Sequence, residues 1–375
     1  MVPNLSSREL WSIMLATNLF CLSLSEPLRP RRLGATYAVP TWLPVEAQEI
    51  NEPSAVLALG RIRRVLTYVP SLNTEIATSF WRTDKFARPS SPKLCFLHGA
   101  DSNCLEWRYV AEKLGANGLD CTALDWWTGG WTDREPITRA LTKSGGEIKP
   151  WTLVREHLDA FFQQQIFSDD IGGTDDDIIL IGASLGGAVA IDYAAAHPDR
   201  VRALILIDAG GESYAAPSPA VVRALAPAVL AVKSFVAWVA AKVDGSEEGR
   251  INALHRTERG WAEAYSAYLA SGSYSCQVGP PLIRTLAMPT LVLWGRDDPI
   301  LPLGDAYAFQ RDLGTQCAGV REVPGAGHSP HLEDPEVVAA HLCRFLEELG
   351  VETGASEDGG VSRRQTFRDD RPPVG

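Results

Sequence analysis

The chain has 375 residues, 45% of them hydrophobic and 22% charged, enough for one large α/β domain with an insertion or for two domains. With 46 acidic against 35 basic residues its net charge is −11, and no basic stripe crosses the apolar part, which argues against binding of nucleic acid. Seven scattered cysteines form no Cys-x-x-Cys pair, so no zinc site or thioredoxin-like motif is expected, and buried free thiols are a simpler reading than disulfides.

Residues 1–50 read as targeting sequence and leader. Trp11 to Leu24 is a short apolar run with Arg8 before it and the small-x-small pattern Ser23-Leu24-Ser25 at its end, the shape of a signal peptide. The following Arg29-Pro30-Arg31-Arg32-Leu33-Gly34-Ala35-Thr36 is basic and nearly free of acids up to Glu46, as transit peptides are. The pair suits a nucleus-encoded protein of a complex plastid; plain secretion is the alternative.

From residue 51 to 210, apolar strand-like runs alternate with helical patterns. The strands expected are Glu75–Trp81, Lys93–Leu97, Cys121–Trp126, Ile178–Ile181 and Ala203–Ile207, with Thr290–Trp294 and Val320–Val323 following in 282–350. The helices are Glu106–Leu114, Leu153–Phe167, Leu185–Ala196, Leu303–Leu313 and Pro335–Leu349. Continuous apolar strands separated by helices predict a doubly wound, mostly parallel α/β sheet covered on both faces. The alternation breaks over 211–281, where Ala220–Val243 and Ile251–Ser271 read as helices of an inserted cap. Arg223, Pro227 and Lys233 argue against a membrane span in the first. Residues 351–375, with almost no apolar side chains, read as a disordered tail.

Gly182-Ala183-Ser184-Leu185-Gly186 stands between a strand and a helix, the context of a nucleophile elbow. A serine nucleophile needs a base, an acid to orient it and N–H donors for an oxyanion. Asp298 and His328 each follow an expected strand, in the chain order Ser184, Asp298, His328. His197 reads as a helix end, and His331 is a weaker candidate for the base. The turn His98-Gly99-Ala100 closes another strand. It would offer the Ala100 N–H, beside the Leu185 N–H, as an oxyanion hole, with His98 structural. This chemistry needs no cofactor and no metal.

These residues resemble the α/β-hydrolase superfamily in its cap-bearing branch. The run His98-Gly99-Ala100-Asp101-Ser102-Asn103-Cys104-Leu105-Glu106-Trp107-Arg108 is similar to one in plant and algal chloroplast α/β-hydrolases, as are Thr74–Phe80, Ala188–Asp192 and Gly327–His331. The resemblance spans roughly residues 70 to 348. It implies Ser184, Asp298 and His328 as a triad, Ala100 and Leu185 as oxyanion donors, and a chloroplast location. Serine in place of the aspartate nucleophile of haloalkane dehalogenases and most epoxide hydrolases favours ester, thioester or amide hydrolysis.

The sequence departs from the resemblance at Trp126, Trp127 and Trp131, which either reshape the pocket mouth or simply pack. A small hydrophobic ester is the expected substrate, with lipid contact through the cap. A ligand receptor on the same fold, or a cofactor-free haloperoxidase or perhydrolase, is the alternative.

Overall fold

The computed structural model describes residues 38–83, 92–127, 129–143, 150–167, 178–211, 247–271 and 278–353. Eight strands form one sheet: β1 (Arg63–Val69), β2 (Thr74–Arg82), β3 (Lys93–Leu97), β4 (Asp120–Leu124), β5 (Ile178–Ala183), β6 (Val201–Ile207), β7 (Thr290–Gly295) and β8 (Cys317–Val323). Their order is β1-β2-β4-β3-β5-β6-β7-β8. The β1–β2 and β2–β4 pairs are antiparallel and all others are parallel.

The central strands divide their side chains between two cores with a period of two. Cys95, Leu97, Ile178, Leu180, Val292 and Trp294 face one core, where helices Pro150–Gln165, Leu185–Ala196 and Leu303–Leu313 pack. Leu94, Phe96, Ile179, Ile181, Leu291 and Leu293 face the other, against helices Pro53–Arg61, Arg108–Ala116 and Pro335–Glu348. Every residue of β5 is buried. That two-sided burial is why its sequence runs apolar without alternation.

All seven expected strands are present within a few residues, and β1 is the one the sequence reading missed. It is an edge strand that opens on Arg63 and Arg64 and buries only Thr67 and Val69. It forms a hairpin with β2, in register from Arg63 opposite Phe80 to Val69 opposite Thr74. β4 stops at Leu124 instead of reaching Trp126, because Asp125 turns the chain. Its buried carboxylate accepts from the Cys104 amide at 2.6 Å, the Trp131 amide at 3.0 Å and the Ser79 hydroxyl at 2.5 Å.

The leader boundary at residue 50 lies too far along the chain. Leu43, Ala47 and Ile50, spaced four and three apart around a short 3₁₀ turn at Val45–Glu49, are buried in the second core. A side chain the size of Leu43 or Ile50 removed from water is worth roughly 1.5–3 kcal/mol, so residues 38–50 belong to the folded unit. Val351 is buried as well, just inside the stretch read as tail. The signal-like and transit-like stretches, helix Ala220–Val243 and the tail from residue 354 lie outside the described residues. Of the cap, residues 247–271 carry helices Glu247–Ala253 and Trp261–Ser271 with a 3₁₀ turn, Leu254–Thr257, between them. Among the described residues no helix is long and apolar enough to cross a membrane.

Candidate active site

β5 delivers Ser184 to the C-terminal edge of the sheet, and helix Leu185–Ala196 starts immediately after it. Ser184 has φ 51° and ψ −119°, a conformation that L-residues avoid at a cost of order 1–3 kcal/mol. Backbone hydrogen bonds hold it there. Its amide donates to Ile207 O at 3.0 Å, and its carbonyl accepts from Gly187 N at 3.1 Å and Gly210 N at 3.0 Å. The turn closes so tightly that a Cβ at Gly182 would lie 2.4 Å from Gly186 O, and one at Gly186 would lie 2.2 Å from Leu97 O. The two glycines of the motif are therefore needed for close approach.

The ends of β7 and β8 bring the other two parts. His328 Nε2 lies 3.0 Å from Ser184 Oγ, and His328 Nδ1 lies 2.7 Å from Asp298 Oδ2. A carboxylate accepts only, so the imidazole proton belongs on Nδ1, leaving Nε2 to accept from the serine hydroxyl. Asp298 Oδ1 accepts from the Ile300 amide at 2.7 Å and the Leu301 amide at 3.1 Å, which fixes the carboxylate. Asp297 is exposed and takes no part in this chain. The loop carrying His328 is braced on both sides by Glu333, which accepts from Gly327 N at 2.7 Å and Ser329 N at 3.1 Å.

The turn after β3 lies against the elbow: a Cβ on Gly99 would meet Ser184 Cβ at 3.4 Å. Ala100 follows on this turn, and Leu185 opens the elbow helix, whose first amides have no carbonyl partner within it. His98 is buried, with Nδ1 2.8 Å from Gly99 O and its ring stacked on Trp126 at 5.4 Å. It shapes the turn, as expected. His331 faces away from the serine. Its Nε2 lies 2.8 Å from Glu106 Oε1, its ring stacks on Trp107 at 4.6 Å, and Glu106 Oε2 accepts from Gly99 N at 3.3 Å. Burial pushes the Glu106 carboxyl up, but the hydrogen bond and charge of His331 outweigh it and leave it below its usual value. This pair ties the Gly99 turn to the His328 loop.

Asp101 is the residue that sequence reasoning passed over. It sits next to Ala100 with φ 53°, and its buried carboxylate reaches the cap. It accepts from Trp261 Nε1 at 2.8 Å and His255 Nε2 at 3.1 Å, and it forms an ion pair with an Arg256 guanidinium nitrogen at 3.0 Å. Burial holds His255 down to about 4, against weaker upward pulls from Asp101. Its neutral ring donates from Nε2 to Asp101 and accepts at Nδ1 from the Asn103 side-chain Nδ2, 3.2 Å away. The described half of the cap is thus joined to the turn beside the serine. The available signal was Asp101 within the motif that carries the family resemblance, but its partners lie more than 150 residues away.

Trp126, Trp127, Trp151, Val154, Leu185 and Tyr268 line a narrow apolar crevice beside the elbow. Trp127 meets Tyr268 of the cap edge to face at 5.9 Å. Of the three departing tryptophans, Trp126 and Trp127 line this crevice and Trp131 packs in the opposite core. Cys95, Cys104 and Cys121 are buried free thiols, and Cys317 and Cys343 are free and half-buried.

The fold and the cap over its C-terminal edge define a hydrolase of the α/β type. The alpha/beta hydrolase family model matches residues 96–341, and the chain belongs to that family. It is 28% identical over 323 residues to the alpha/beta hydrolase domain-containing protein VTE7 of Arabidopsis thaliana, covering 83% of this chain and 90% of that protein. It is 29% identical over 266 residues to a 2-hydroxy-6-oxononadienedioate/2-hydroxy-6-oxononatrienedioate hydrolase of Paraburkholderia xenovorans, covering 67% and 85%. Its fold is also similar to a thermophilic esterase from Thermogutta terrifontis, with a TM-score of 0.59 at 21% identity, covering 78% of this chain and all of the other.

Proposed function

We propose that this hydrolase is a serine esterase acting on a small hydrophobic carboxylic ester. The observation that carries the reading is the unbroken chain Ser184 Oγ, His328 Nε2, His328 Nδ1, Asp298 Oδ2, with links of 3.0 and 2.7 Å, built on a strained elbow. Ser184 attacks the acyl carbon as His328 takes its proton. Asp298 holds the imidazole tautomer and stabilises the imidazolium. The Ala100 and Leu185 amides receive the charge that develops on the carbonyl oxygen. His328 then protonates the leaving alcohol. Water, deprotonated by the same ring, releases the acid and restores the serine.

The apolar side chains that close around Leu185 suit an apolar acyl or alcohol group in the substrate. The sequence of residues 1–36 supports a plastid address. Fusing residues 1–37 to a fluorescent reporter in an alga with a complex plastid tests it, and secretion of the fusion would replace it.

A fluorophosphonate should label Ser184, and Ser184→Ala should abolish labelling and lower ester turnover by roughly 10⁴ to 10⁶. Labelling at another serine would overturn the assignment. Stoichiometric ligand binding without turnover across an ester chain-length panel would make the protein a receptor.

A further inference from the structure

Asp208 directly follows β6, between the elbow and the loop after β7 that carries Asp298. It is fully buried and holds φ 42°. Its amide donates to Leu293 O at 3.0 Å, and its Oδ1 accepts from Gly295 N at 2.9 Å. Its other oxygen is buried and finds no N–H or O–H donor among the described residues. What the carboxyl faces is a second carboxyl, that of Asp298, with the His328 ring beside it. One carboxyl oxygen of Asp208, one of Asp298 and a ring nitrogen of His328 all lie within 4.8 Å of one another.

Two carboxylates cannot share a hydrogen bond unless one of them carries a proton. The donors decide which one does. Asp298 receives the Ile300 amide, the Leu301 amide and the His328 ring N–H, all of which favour its ionised form. Asp208 receives one backbone N–H. A carboxylate offers about four lone-pair sites. With three filled on Asp298, one remains for an O–H. We propose that Asp208 is a neutral carboxylic acid that donates its O–H to Asp298, a positioning residue placed behind the triad.

The groups that bear on Asp208 point the same way. Burial comes first, then the charge of Asp298 from the loop after β7, with Glu333 from beyond β8 adding to it. Together they hold the Asp208 carboxyl well above the usual carboxylate range, and only the Gly295 N–H opposes them. The O–H then does two things. It orients Asp298 toward His328, and it withdraws part of the charge that Asp298 presents to the imidazole. Without the donor, Asp298 faces His328 with its full charge and favours the imidazolium, which is the wrong state for a base.

The kinetic part rests on the reading of Ser184, His328 and Asp298 as a working triad; the spectroscopic part does not. Infrared spectra of the full chain at neutral pH should contain the carbonyl stretch of a protonated carboxylic acid that is lost in Asp208→Asn. Its absence from the wild type, or its persistence in the variant, would overturn the proposal whether or not the protein hydrolyses esters.

In ester kinetics, Asp208→Asn keeps an N–H donor and should keep kcat within about threefold of wild type, with an unshifted pH profile. Asp208→Ala loses the donor. It should lower kcat by roughly tenfold or more and move the acidic limb of kcat/KM up by about one pH unit. An ionised Asp208 would give the opposite sign, because removing its negative charge from either variant would move the limb down. Wild-type protein that hydrolyses no ester and takes up no fluorophosphonate would instead remove the esterase reading and leave the infrared result to decide Asp208.

Discussion

The Trp261 indole, on the cap, donates to the Asp101 carboxylate at 2.8 Å across 160 residues of chain. Asp101 adjoins Ala100, so the cap is anchored to the turn proposed to receive the acyl oxygen. Its described half is joined through these contacts to the framework of the site. A linker replacing residues 247–271 would leave the buried Asp101 carboxylate without Trp261, His255 and Arg256.

Asp101→Asn should therefore affect more than stability. It leaves the Arg256 guanidinium without its buried counter-charge and weakens two hydrogen bonds, a loss of roughly 1–3 kcal/mol measured by urea denaturation. Because the Ala100 amide shifts with the turn, kcat should fall with little change in KM. A normal kcat in a variant that has lost stability would show that the cap does not control the turn.

Asp298→Asn should lower kcat by roughly 10⁴, since an amide facing Nδ1 stabilises the wrong imidazole tautomer. Asp297→Asn, at an exposed position that does not face His328, should change it little. Steady-state kinetics on one ester separates them, and the reverse ranking would move the acid to Asp297.

Two fully buried histidines should make stability fall on mild acidification. Burial lowers His157 and His255 from 6.5 to about 4 in the fold. The unfolded chain then binds the extra protons in that window. Their contribution is fully present above about pH 6.5 and is lost as pH falls toward 4, on the order of 3 kcal/mol for each ring. His157 bonds one partner through Nε2, the Thr78 hydroxyl at 2.7 Å, so His157→Gln is the gentler probe. Urea midpoints followed across this window should slope less in His157→Gln than in wild type. An equal slope would show that His157 does not titrate with unfolding.

A chain starting at residue 38 should fold and keep activity, whereas one starting at residue 50 loses Leu43 and Ala47 from the core and should melt several degrees lower. Equal melting temperatures would mean that residues 38–49 contribute nothing.

Trp127→Leu should widen the crevice between the elbow and Tyr268. The preferred ester should then shift to a longer or bulkier chain, read as a changed ranking of kcat/KM across an ester panel. An unchanged ranking would place the substrate elsewhere.

Local sequence determined the central sheet and the three residues of the proposed triad. Buried parallel strands must be apolar throughout, a tight strand-to-helix turn demands glycines at Gly182 and Gly186, and Asp298 and His328 each sit where a strand runs out. Those constraints act within a few residues, so they are legible along the chain. Asp208 stands at a strand end too, yet nothing local distinguishes a carboxyl that meets Asp298 from one that caps a turn. Asp101 with Trp261 and Glu106 with His331 are pairings across 160 and 225 residues, which leave no periodicity to read. The edge strand β1 and the segment around Leu43 escaped for a related reason: each buries only one side, and its apolar residues are thinned by charge. Only the tertiary structure decides these, because what makes each of them necessary is a buried polar or apolar group brought up by a distant part of the chain.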